Sequence, residues 1–164
     1  MTLVRLTKAA LVAGLAFTCT LAVYGNVVDP ATNLDFTRHV LAMDTVDPGS
    51  GIRGRAVTDP GLQWAAFALI VAAEALTASL LWIGAARMLA AFRAPTARFA
   101  AAKGWALAGL TLGFLVWQAG FLGIGGEWFA MWMSKTWNGQ EEAFRFTMIV
   151  LGVLIYVALP EREA

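Results

Sequence analysis

The stretch "LQWAAFALIVAAEALTASLLWIGAA", residues 62–86, decides the fold. A helix must run about 20 apolar residues to cross the roughly 30 Å hydrocarbon core of a bilayer, and this stretch exceeds that length. Its one charge is Glu74, set midway along it. A charged residue in such a segment is costly unless it faces the protein interior, so the stretch predicts a membrane helix with one acid turned inward.

Working outward, three further segments fit the same reading. "AALVAGLAFTCTLAVYGNVV" (9–28) and "GWALAGLTLGFLVWQAGFLGIGG" (104–126) carry no charge, and "AFRFTMIVLGVLIYVAL" (143–159) carries only Arg145 near its start. The composition agrees: the 164-residue chain is 59% hydrophobic and 14% charged, against about 45–50% and 25% for soluble domains. The expectation is an all-α, four-transmembrane-helix bundle forming a single membrane domain. Its helices span about 7–28, 62–86, 104–126 and 143–159. Residues 29–61 and 127–142 are outer segments, and 87–103 form a cytoplasmic loop. The first span follows Arg5 and Lys8 like a signal peptide, but its apolar run is longer and no small-x-small cleavage site follows, so it is expected to remain as a helix.

Charge sets the orientation. With both termini inside, the cytoplasmic side holds seven Lys/Arg against Glu161 and Glu163, and the outer side holds five against eight acids. The positive-inside rule therefore places both termini in the cytoplasm. A net charge of +1 gives no basic excess for nucleic acid. The lone Cys19 permits no internal disulfide and no Cys/His zinc spacing.

Polar chemistry gathers on the outer side. In "NVVDPATNLDFTRHVLAMDT" (26–45), Thr32 and Asp35 form a capping-box pattern. Phe36, Val40 and Met43 then share one helical face, beside a stripe holding Asp35 and His39. "GSGIRGR" (49–55) is expected to be the flexible part. Packing is the simpler role for this helix, although imidazole and thioether suit copper, which makes His39, Met43 and Met131 conceivable ligands. The single histidine excludes bis-histidine haem ligation within the chain. Trp128, Phe129, Trp132 and Trp137 are placed for a membrane-interface belt. The polar groups Asn26, Asp29, Asn33, His39, Asp44, Glu127, Asn138 and Arg145 form a candidate outer cluster.

Within the spans, Glu74 has Thr18, Thr20 and Gln118 as candidate partners at similar depth. Its functional reading is a proton or cation site, or a contact for a quinone or another subunit. Its structural reading is a neutral acid hydrogen-bonded inside the bundle. "GLTLG" (109–113) is a GxxxG motif for close helix approach, within the bundle or against a neighbour.

At "TNLDFTRHVLAMDT", "GGEWFAMW" and "WNGQEEAFRF" the chain resembles the bacterial predicted small integral membrane proteins grouped as domain of unknown function 2165. The resemblance covers nearly the whole chain, including Glu74 and Lys103. The pattern falls on Asn26, Asp29, Thr32, Asn33, Phe36, His39, Met43, Asp44 and Thr45. It continues on Gly126, Glu127, Trp128, Phe129, Met131, Trp132, Trp137, Asn138, Gly139, Gln140, Phe144 and Arg145. Met133 stands where members often carry glutamine. The resemblance implies a four-helix protein of the bacterial inner membrane and no established activity.

The leading expectation is a non-catalytic accessory or scaffold subunit of a larger respiratory or photosynthetic membrane complex, with the bilayer, other subunits or a second copy as partners and no cofactor. The alternative is a proton- or metal-linked transporter or redox protein using Glu74 and the His39 cluster. An enzyme built on Asp29, Asn33, His39, Asp44 and Glu127 is a third class. The chain lacks a nucleophile elbow, a metal-protease motif and a phosphate loop.

Overall fold

The computed structural model describes residues 2–161; Met1 and residues 162–164 lie outside it, and with them Arg162 and Glu163 of the charge count. The described chain is helical throughout. Helix α1 spans Thr2–Val28, α2 Pro30–Ala42, α3 Pro60–Ala90, α4 Thr96–Ala102, α5 Gly104–Leu115 and α6 Gln140–Ala158. Helix α5 continues without a break as a π-helix, Val116–Trp128. Three helical runs are long and apolar enough to cross a membrane: Thr2–Val28, Pro60–Ala90 and Thr96–Trp128. Helix α6 has 19 residues, with Glu141 and Glu142 in its first turn.

Helix starts follow capping chemistry. The Asp59 carboxylate accepts from Leu62 N at 2.8 Å and Pro60 opens α3, a pairing that satisfies an orphan N–H where proline's missing one costs nothing. Helix α2 begins one turn earlier than its capping-box pattern predicts. Asp29 is the cap residue, Pro30 follows it, and Thr32 donates to Asp29 Oδ2 at 2.7 Å. Met43 ends α2 in the left-handed region at φ 51°, a position that usually takes glycine or asparagine. Its side chain is 1% exposed in the outer core, and that burial offsets the strain. The segment expected to be flexible instead forms a 3-10 turn, Gly51–Arg55, with Val57 N bonded to Leu41 O at 2.8 Å.

The inner core joins α1, α3, α4, α5 and α6 through Val12, Leu15, Leu81, Met88, Phe99, Leu110, Val150 and Val157. Glycines set its closest approach. A Cβ at Gly84 would stand 2.5 Å from Ala106 N, and one at Gly109 would stand 3.0 Å from Leu81 N. Gly113 faces Thr77 in the same way. Both glycines of the GxxxG motif are therefore used between α3 and α5. A second core caps one end of the bundle, built from Val40, Met43, Val46, Phe129, Ala130 and Met131.

At the opposite end the charges expected to flank the spans are buried. Lys8 is 2% exposed, and Arg5 and Lys103 are 5%. Lys8 Nζ and Lys103 Nζ reach Glu161 Oε1 at 2.7 and 3.3 Å and Leu159 O at 2.8 and 3.0 Å. Arg5 donates to Ala94 O at 2.6 Å, and its Nε forms a looser ion pair with Glu161 Oε2 at 3.8 Å. Lysines at the terminal carbonyls of α6 suit the negative end of that helix. Burial alone would raise the Glu161 carboxyl, but Lys8 and Lys103 outweigh it and hold the group below the usual carboxylate range.

Candidate functional site

The Arg5–Ala94 contact puts the start of α1 level with the end of α3. From Lys8 to Asn26 the helix rises about 27 Å at about 1.5 Å per residue. Asn26 Nδ2 donates to Glu74 Oε2 at 2.8 Å. Glu74 is thus midway along α3 but level with the outer end of α1. Thr18 and Thr20 are engaged elsewhere, donating to Gly14 O and Ala16 O. Gln118 makes no hydrogen bond to Glu74. The expected depth was wrong because α3 outruns α1: its first half extends past Val28, where α2 and the π-helix pack against it.

Three helices build one polar chain at this level. Asn33 Nδ2 on α2 donates to Asn26 Oδ1 on α1 at 2.6 Å, and Asn26 passes the polarity to Glu74 on α3. Glu74 is 6% exposed and Asn26 8%. Glu74 Oε1 accepts no hydrogen bond from a described residue. These groups form the floor of a cavity of about 450 Å³, whose rim carries Asn33, Asn138 and Glu142. Floor residues are buried and these rim residues exposed, so the cavity opens at the end of the bundle opposite Lys8 and Glu161. Its walls are aromatic: Phe36, Phe67, Trp117 and Phe121. Trp117 is locked between Phe121 and Phe146, at ring-centroid distances of 4.7 and 4.4 Å. Glu142 accepts from Arg145 at 3.2 Å through Oε1.

Phe36, Thr37, Ile70 and Phe121 also line an adjoining apolar groove of about 290 Å³. Its remaining walls come from α2, α3 and the π-helix, including Val40, Leu69, Ala73 and Ile124. Gly120 and Gly125 lie along it and leave it unfilled. Below Glu74 the space closes to about 10 Å³ among Cys19, Thr77, Val116 and Phe146, about the room of one water.

The outer cluster expected from sequence divides. Asn26, Asn33 and Asn138 join Glu74 at the cavity, while Asp29 stands at the start of α2 and accepts from the Thr32 hydroxyl. Glu127 and Arg145 are exposed and line neither cavity. His39 Nδ1 lies 2.6 Å from Asp44 Oδ2, and its ring stacks on Trp137 at 4.2 Å and 8°. That pair is half-exposed and outside both cavities. Met43 and Met131, conceivable copper ligands with His39, are 1% and 2% exposed in the outer apolar core. Among the described residues, no three His, Cys, Asp or Glu side chains converge for a metal ion. The aromatic belt divides too. Trp128 and Trp132 are exposed, whereas Phe129 is buried and Trp137 supports His39.

Chemically, the cavity offers a carboxylate oxygen without a partner among the described residues, a second carboxylate, three amides and four aromatic side chains. Among the described residues, the groups that line it suit a cation or a hydrogen-bond donor. Glu142 at the rim lies outside the cluster expected from sequence. No curated protein and no solved structure matches the chain. A family model described as predicted small integral membrane protein (DUF2165) matches residues 4–160, and the chain belongs to that family.

Proposed function

We propose that this chain is a non-catalytic binding protein of the bacterial inner membrane, with four spans, both termini in the cytoplasm, and a ligand crevice on its outer face. The observation that carries this reading is Glu74: a buried carboxylate with one oxygen held by Asn26 and the other free at the floor of an open cavity. Burying an acid is expensive, and a binding site is a reason to retain one. The fourth span is α6, whose acids lie in its first turn and leave an apolar run behind them.

Transport through Glu74 has less support, because the space beneath it closes and glycine-mediated contacts seal α3 against α5. The accessory-subunit reading draws on the small size and on the lack of reactive groups in the crevice. It draws nothing from the GxxxG motif, which is occupied within the bundle.

The test is mild extraction of the tagged chain from its native membrane, with mass spectrometry of everything that co-purifies, for the wild type and Glu74→Gln. A small molecule retained by the wild type and lost from a folded Glu74→Gln variant is expected. Stoichiometric recovery of a respiratory or photosynthetic complex, equal for both proteins, would restore the accessory-subunit reading in its place.

A further inference from the structure

The polar crevice and the apolar groove share a wall of Phe36, Thr37, Ile70 and Phe121. One space is charged and aromatic; its neighbour is apolar. We propose that together they bind a single-chain cationic amphiphile, an alkylammonium whose head sits at Glu74 and whose chain lies in the groove, an assignment that rests on the crevice being a binding site.

Three observations carry the head-group chemistry. Both charged groups of the cavity that lack full pairing are carboxylates, Glu74 on the floor and Glu142 on the rim, so the site complements positive charge. Arg145 engages one oxygen of Glu142, whereas Glu74 Oε1 has no partner among the described residues. Four aromatic side chains line the same space. Trp117 is stacked between Phe121 and Phe146, which leaves Phe36 and Phe67 as the rings whose negative faces can attract an ammonium group, most strongly where water is excluded. An anionic head would meet two carboxylates and no free cation.

The chain follows from the groove. Its walls are almost wholly hydrocarbon, and Leu69 and Ile124 at its edge are 71% and 56% exposed. A groove with apolar residues open to its surroundings admits a chain directly from the outer leaflet, while the head reaches water-facing polar groups. Gly120 bears on the test, because a Cβ there meets nothing within 4 Å. A larger side chain at this position enters the groove without displacing backbone.

The full chain in glyco-diosgenin micelles, whose steroid body carries no alkyl chain, is titrated calorimetrically with three probes. They are dodecyltrimethylammonium, tetramethylammonium as the head alone, and dodecyl maltoside as a neutral chain. The expected result is saturable one-to-one binding of dodecyltrimethylammonium, at least about tenfold tighter than either other probe, a factor worth about 1.4 kcal/mol. Glu74→Gln should weaken it about tenfold or more. Gly120→Leu should abolish the advantage of the chain while sparing tetramethylammonium, and this variant serves if Glu74→Gln fails to fold. Equal binding of tetramethylammonium and dodecyltrimethylammonium would overturn the amphiphile assignment and leave a cation crevice standing. Equal binding of the neutral chain, indifferent to Glu74→Gln, would also overturn it. Failure of all three probes would overturn the crevice together with its occupant.

Discussion

At Asn26 a single amide holds two polar neighbours, donating to Glu74 and accepting from Asn33. Removing it leaves a buried carboxylate with no hydrogen-bond donor, a loss of about 1–3 kcal/mol. Asn26→Ala should therefore lower the unfolding midpoint in detergent, and Asn26→Asp should lower it further by setting like charges together; unchanged midpoints would contradict the network. His39 is a different case, half-exposed and outside the crevice. His39→Ala removes its stacking on Trp137 and its bond to Asp44, so about 1 kcal/mol of stability is expected to go, with binding at the crevice intact. Glu74 and the amides were legible in the sequence as polar residues needing a reason. Their partnership was not, because depth was counted from the middle of each span as though all spans began level.

Among the elements, the α3–α5 interface is the most constrained. A side chain at Gly84 would press on the backbone of Ala106, and overpacking of this kind costs about 1–3 kcal/mol. Gly84→Ala should reduce thermal stability more than Gly14→Ala, where the added carbon meets nothing within 4 Å; equal effects would mean that the two helices can part freely. The helices themselves were plain from their long apolar runs. The inward direction of Gly109 and Gly113 was not, since a GxxxG motif names a close approach without naming the helix approached. The π-helical continuation of α5 was likewise hidden, because apolar periodicity across 104–126 reads as a single helix whatever its winding.

For the whole molecule, polarity is divided between two ends. One end holds the acid-lined crevice, and the other is clasped by Arg5, Lys8 and Lys103 around Glu161. In sequence these cations looked like flanking charges that fix orientation; packing of the α6 terminus buries Lys8 and Lys103, and the turn after α3 with Phe99 of α4 covers Arg5. Because Glu161 is held below its usual range, the clasp's contribution is complete above the ordinary glutamate value of about 4.3. It is lost as pH falls through the lowered value, as the linkage of protonation to folding requires. Acid should thus lower the unfolding midpoint of the wild type more than that of Glu161→Gln, whose clasp is already weakened at neutral pH; parallel curves would contradict the clasp.

The central claim is a crevice facing outward from a bundle whose termini and α4 face the cytoplasm. The most direct measurement is labelling of single introduced cysteines by a membrane-impermeant maleimide added to cells with a permeabilised outer envelope and an intact inner membrane. Asn33→Cys, at the rim of the crevice, should react from outside, and Ala97→Cys on α4 should react only after the inner membrane is opened; native Cys19, 6% exposed, should stay silent. Labelling of Ala97→Cys from outside with Asn33→Cys protected would invert the molecule and contradict the account.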